Sequence, residues 1–144
     1  MSPFQDNFVA GDFLQISSDI QQSFLSNTNI VLSPKESAWL RSAISRAYYS
    51  AFLQLRHEFR NDPTLQSRVT PMSNAHSNIK NELINNLPAH LIYLANDFDN
   101  LRVERNHADY DLPGIYDVNP SKVRTSSISA NRIISNIGLI MSNL

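Results

Sequence analysis

Between Arg102 and Tyr110 the chain reads Arg-Val-Glu-Arg-Asn-His-Ala-Asp-Tyr, placing two guanidiniums, an imidazole and a phenol in one short stretch. Arginine presents a planar fork of donors matched to phosphate oxygens. Histidine exchanges a proton near neutral pH. Together they are a phosphate-handling and proton-handling set, and metal-free cleavage of an RNA backbone is one reaction that would use it. The 2′-hydroxyl attacks the adjacent phosphorus, a base takes its proton, an acid protonates the departing 5′-oxygen, and positive charge stabilises the non-bridging oxygens. In this scheme His107 moves the proton and Arg102, or Arg105, stabilises the charge. Asn106 orients the phosphate or caps the helix end, Asp109 supports the arginines, and Tyr110 adds a hydrogen bond or stacks on a base. A plainer account uses the same residues. Arg102 and Arg105 pair with Asp99, Glu104 or Asp109 along one helix, and His107 is favoured at a helix end by the macrodipole.

Spacing constrains the chemistry. Arg102 and His107 are five positions apart, about 500° around an α-helix, so their side chains diverge by roughly 140°. One straight helix cannot aim both at one phosphate. Either the helix ends or bends near Asn106, or a second copy of the chain completes the site.

The elements that must hold these residues are helical. Phe13, Ile16, Ile20 and Phe24 form an apolar stripe on a helix expected from about Asp12 to Ser26. Ser33-Pro34-Lys35-Glu36 is a start signal, with a serine N-cap, proline at N1 and glutamate at N3. Leu40, Ile44, Ala47, Tyr48, Ala51, Phe52 and Leu55 line the helix that follows, and Asn61-Asp62-Pro63 stops it. Ala43, Ala47 and Ala51 permit close helix approach. A third helix is expected from about Ser73 to Leu87. A fourth starts at Pro88, buries Leu91, Leu94, Ala95, Phe98 and Leu101, and runs into the motif. Leu112-Pro113-Gly114 breaks the pattern. The last helix opens at Asn119-Pro120, with Val123, Ser127, Ala130, Ile134, Ile137 and Met141 as its stripe. No strand pattern is present. The expected fold is all-α, an antiparallel bundle of four or five helices forming one domain over residues 1–144.

Composition narrows the function classes. The absence of cysteine removes disulfides, thiolate metal sites and cysteine nucleophiles. A net charge of −1 gives no global support for nucleic-acid binding, although Lys35, Arg41, Arg46, Arg56, Arg60 and Arg68 make one segment locally basic. The N-terminus carries no signal-peptide pattern and no apolar run is long enough to span a membrane, so a cytoplasmic protein is expected. No helical zinc-site spacing and no glycine-rich phosphate loop is present, and neither metal nor cofactor is expected. His57 and Arg56 read as surface, His76 and His90 as surface or cap residues, and Tyr48, Tyr49 and Phe52 as core and interface. Arg46 and Tyr49 are placed to line a groove near the motif.

Two segments together resemble the HEPN superfamily of helical-bundle proteins. Ser45-Arg46-Ala47-Tyr48-Tyr49-Ser50-Ala51-Phe52 is similar to the arginine-alanine-tyrosine-tyrosine stretch of that family's early long helix. Arg105-Asn106-His107-Ala108-Asp109-Tyr110-Asp111 resembles the end of a later one, and His76, Ile79 and Leu83 fit the helix between. The resemblance covers roughly residues 35 to 140. It implies a two-fold homodimer and a metal-independent ribonuclease whose arginine and histidine, four to six residues apart, face their counterparts across the dimer. Arg102 and His107 satisfy that spacing. In the alternative register Arg105-Asn106 opens the motif and Tyr110 stands where a histidine is usual. The first register implies an endoribonuclease, a toxin of a toxin–antitoxin pair or a defence component. Its control would come from a separate antitoxin or nucleotidyltransferase that modifies Tyr110. The second implies a non-catalytic module binding nucleotide, RNA or a partner protein. A structural dimer whose motif forms only ion pairs is a third account.

Overall fold

The computed structural model describes residues 14–16, 19, 33–69, 74–112 and 114–144. Residues 14–16 and 19 are helical, and the rest of the helix expected from Asp12 to Ser26 lies outside the described residues. Six α-helices follow: α1 (Pro34–Asn61), α2 (Pro63–Val69), α3 (Ala75–Asn86), α4 (Ile92–Tyr110), α5 (Pro120–Ser135) and α6 (Ile137–Ser142), with a 3-10 turn at Ala89–Leu91 before α4. No strand occurs among the described residues, and the fold is an all-α bundle.

α1 is the spine, packing against both α4 and α5. The Ser33 hydroxyl accepts from the Glu36 amide at 3.2 Å, and Pro34 needs no amide partner at N1. Leu40, Ala43, Ile44, Ala47, Tyr48, Ala51, Phe52, Leu55 and Phe59 are all buried along one face. α4 runs antiparallel to it, with Leu94, Phe98 and Leu101 fully or almost fully buried against that face. Each such side chain contributes about 1.5–3 kcal/mol by leaving water. Asp97, itself buried, accepts from Arg132 at 2.7 and 2.8 Å and from Ser129 at 3.4 Å, tying α4 to α5.

Three boundaries differ from the sequence reading. Asp62-Pro63 ends α1 but also starts α2, because Asp62 Oδ1 caps the amides of Thr64 (2.8 Å) and Leu65 (3.2 Å). The expected fourth helix begins with the 3-10 turn, so Pro88 precedes the α-helix by a full turn. The last helix is broken at Asn136, and its buried column is Val123, Ser126, Ser127, Ala130 and Ile133, with Ile140 on α6. Ile134, Ile137 and Met141 are only partly buried.

Candidate functional site

α4 carries the motif without interruption through Asn106 to Tyr110, so the helix does not end where a single-chain Arg102–His107 site would need it to. The two side chains have different surroundings. Arg102 donates to Asp99 Oδ1 at 3.1 and 3.2 Å, and the same oxygen lies 3.1 Å from Lys80 of α3. Burial works against the Asp99 charge, but the hydrogen bonds and charges of Lys80 and Arg102 outweigh it and hold the carboxyl below its ordinary range.

His107 sits in the last turn of α4 with a side chain 46% exposed. Its Nδ1 lies 2.5 Å from Asp111 Oδ2, and its ring stacks on Tyr116 with centroids 5.3 Å apart. The carboxylate and the stacked ring fix the orientation of the imidazole. Tyr116 donates its hydroxyl to Glu104 at 2.6 Å, and burial, then the Glu104 carboxylate, push the phenol above its ordinary pKa.

The loop bearing Asp111 and Tyr116 is pinned by Arg41 of α1. Its guanidinium donates to the carbonyls of His107 (3.3 Å), Ala108 (3.1 Å), Asp111 (2.5 Å) and Tyr116 (2.8 Å). These include carbonyls that the end of α4 leaves without helical partners. Gly114, at φ 92°, turns the loop back toward α1 in a conformation that side chains other than glycine rarely adopt.

Arg105 faces inward. Its side chain is 15% exposed, it donates to the Tyr49 hydroxyl and to Asn106 Oδ1 (3.0 Å), and its guanidinium lies over the rings of Tyr48, Tyr49 and Tyr110 at 5.5, 5.1 and 5.7 Å. Its Nε is 3.0 Å from Asp109 Oδ2, an ion-pair distance, but the angle is too poor for a hydrogen bond and that N–H is buried without an acceptor. Asp109 also accepts from Ser45 at 3.3 Å. Tyr110 is 72% exposed. Arg46 reaches Ser42 at 3.4 Å on its own helix. The structure therefore joins Tyr49, Arg105, Asn106, Asp109 and Tyr110 in one assembly and leaves Arg102 and His107 on separate arcs of α4. The ion pairs of the plainer account are present for Arg102 and Arg105, whereas Glu104 takes Tyr116 instead.

His76 departs from the expected surface or cap position. Its ring stacks on Phe52 at 3.9 Å and its Nδ1 meets the Tyr48 hydroxyl. Burial, then the charges of Arg105, Arg56 and Arg102, hold its pKa below the ordinary imidazole value. Burial likewise raises the pKa of Tyr48. Sequence reasoning missed Arg41, Tyr116, Asp111 and His76 as site residues. Only the Asp111 partnership had a readable signal, the i,i+4 spacing from His107. Among the described residues, no three histidine or carboxylate side chains converge as a metal site requires, and no helix is long and apolar enough to cross a membrane. No protein-family model, curated protein or solved structure matches the chain.

Proposed function

We propose that the chain is a metal-independent endoribonuclease of HEPN type, acting as a two-fold homodimer. The observation that carries this reading is the exposed His107 imidazole, held at Nδ1 by Asp111 and against Tyr116. Held in this way, the imidazole keeps one orientation, as a proton-transfer group requires. The outward arc of α4 supports the dimer: Tyr93, Asn96, Asn100, Val103 and His107 are all exposed, and none carries a permanent charge. They span an arc of about 80°, a face suited to an isologous contact.

In the dimer, His107 Nε2 of one protomer takes the 2′-hydroxyl proton as the 2′-oxygen attacks phosphorus. The bond to the 5′-oxygen breaks, and the imidazolium of the second copy's His107 protonates it. The products are a 2′,3′-cyclic phosphate and a 5′-hydroxyl. Arg102, turned about 140° from His107 on each α4, contributes positive field at the non-bridging oxygens rather than a direct contact. Control falls to a separate antitoxin or nucleotidyltransferase acting in the cytoplasm, and the exposed Tyr110 hydroxyl is its point of modification. Intact mass after co-expression with such a partner reads the added nucleotide; an unchanged mass refutes that route.

A second reading, a non-catalytic binding module, rests on Arg105. That guanidinium is engaged by Tyr49, Asn106 and Asp109 and stands in register with Tyr110. One experiment separates the two. Purified wild type is incubated with total RNA in EDTA beside Arg102→Ala, Arg105→Ala and His107→Ala. Cleavage that survives EDTA and is lost with His107 supports the enzyme. A folded dimer that cleaves nothing refutes it and favours the binding module.

A further inference from the structure

Two carboxylates stand one helical turn from His107, Glu104 three residues before it and Asp111 four residues after. Asp111 engages the imidazole, at 2.5 Å. Glu104 turns instead to Tyr116, whose hydroxyl donates to its Oε2 at 2.6 Å. Tyr116 is in turn the ring on which His107 stacks, with planes 12° apart. One neighbouring carboxylate thus holds the imidazole, and the other holds the ring that confines it.

Tyr116 is anchored at both ends. Its carbonyl accepts from Arg41 of α1 at 2.8 Å, and its hydroxyl is fixed by Glu104 of α4. The ring between them is buried and lies 4.1 Å from Lys122 Nζ of α5. A hydrogen bond from a neutral phenol to an ionised carboxylate is roughly twice as strong as one between neutral groups. Burial, then Glu104, push the phenol above its ordinary pKa, so it remains a donor at neutral pH. Without that bond the ring keeps its backbone anchor and loses the one at its tip. The released Glu104 is then an i,i+3 neighbour free to approach the imidazole. The charged and titratable groups about His107 and its stacked ring are Glu104 of α4, Asp111 and Tyr116 of the loop, Arg41 of α1 and Lys122 of α5.

We propose that Glu104 is a positioning residue for His107, holding the Tyr116 ring against the imidazole and keeping its own charge away from it. Asp111 is then the single carboxylate that addresses the proton-transfer group among the described residues. Proton transfer as the task rests on the ribonuclease reading above. The arrangement of Glu104, Tyr116 and His107 does not.

Two readouts on the full chain test it. The first is the NMR position of the His107 ring protons, which a stacked phenol moves upfield whether or not the protein cleaves RNA. Glu104→Ala should return them to the positions of an unstacked histidine. Glu104→Gln, which still accepts from the hydroxyl, should hold them upfield. Tyr116→Phe keeps a ring without its tip anchor and should move them part of the way, which serves the test where Glu104→Ala does not fold. The second readout is cleavage of total RNA in EDTA across pH. Glu104→Ala should lower kcat about tenfold or more with KM unchanged, and Glu104→Gln should regain most of the loss. Tyr116→Phe releases Glu104 toward the imidazole, so the acid limb of its pH profile should move to higher pH. Tyr116→Phe combined with Glu104→Gln removes the released charge and should bring the limb back. A hydrogen bond that serves stability alone lowers Tm and moves neither the ring protons nor the limb. Ring protons that stay in place in Glu104→Ala overturn the proposal, as does an unmoved limb in Tyr116→Phe. Ring protons that follow Glu104 in a protein that cleaves nothing retain the arrangement and remove the ribonuclease reading. Cleavage by Glu104→Ala at the wild-type rate does the reverse.

Discussion

Replacing Arg41 with alanine tests the claim that one guanidinium on α1 holds the end of α4 and its loop in place. Four carbonyl oxygens lie 2.5–3.3 Å from its two terminal nitrogens, and the guanidinium carbon is 5.4 Å from the centroid of the Tyr116 ring. Hydrogen bonds from a charged donor contribute about 1.5–3 kcal/mol each, but three of these share one nitrogen and do not add. Counting two effective bonds and allowing water to reach the outer carbonyls gives a loss of about 3 kcal/mol. For a chain near this size that lowers Tm by roughly 6–12 °C. Calorimetry reads the global effect, and amide exchange reads the local one. The Ile115 and Tyr116 amides, which donate to the Leu112 carbonyl at 3.1 and 3.3 Å, should exchange faster than those in the middle of α4. Arg41→Lys should recover less than half the loss, because one ammonium cannot span carbonyls that a fork reaches together. A fall in Tm of less than about 2 °C, or a lysine variant as stable as wild type, refutes the reasoning.

If His107 is the general base, His107→Ala lowers cleavage about 10²–10⁴-fold. Asp111→Asn, which misorients the same ring, lowers it about 10²-fold with little change in Tm; full activity in either protein would end the assignment. His76 gives a stability signature. Its folded pKa is depressed, so the unfolded chain takes up the proton first as pH drops below 6.5. Full stability is present above that pH and is lost as pH falls toward the folded value, at no more than about 1.4 kcal/mol per pH unit. Denaturant titrations at pH 7.5 and 5.5 should show a larger drop for wild type than for His76→Gln, and equal drops would contradict the assigned shift. Phe98→Ala, at a site with no solvent exposure, should cost about 3–5 kcal/mol. A chemical-denaturation loss under 1 kcal/mol would mean that this core is not packed as described.

The positions of α1 and α4 were legible because local physics decides them. A serine cap followed by proline starts α1, and apolar residues three and four apart select the faces that α1 and α4 bury. The helical step already set Arg102 and His107 about 140° apart on the continuous α4. Tertiary structure decided the rest. Arg41 is more than sixty residues from the carbonyls it clamps, His76 meets Tyr48 across twenty-eight, and Lys80 meets Arg102 only through Asp99. Such contacts carry no periodic signal, since any arginine or histidine on a helix reads alike until packing chooses its neighbour. Arg105 read both as a phosphate-stabilising arginine and as an ion pair with Asp109, and only docking of α1 showed that Tyr49 draws it inward. Periodicity records which face of a helix avoids water, whereas the partner a charge finds is set by how the helices dock.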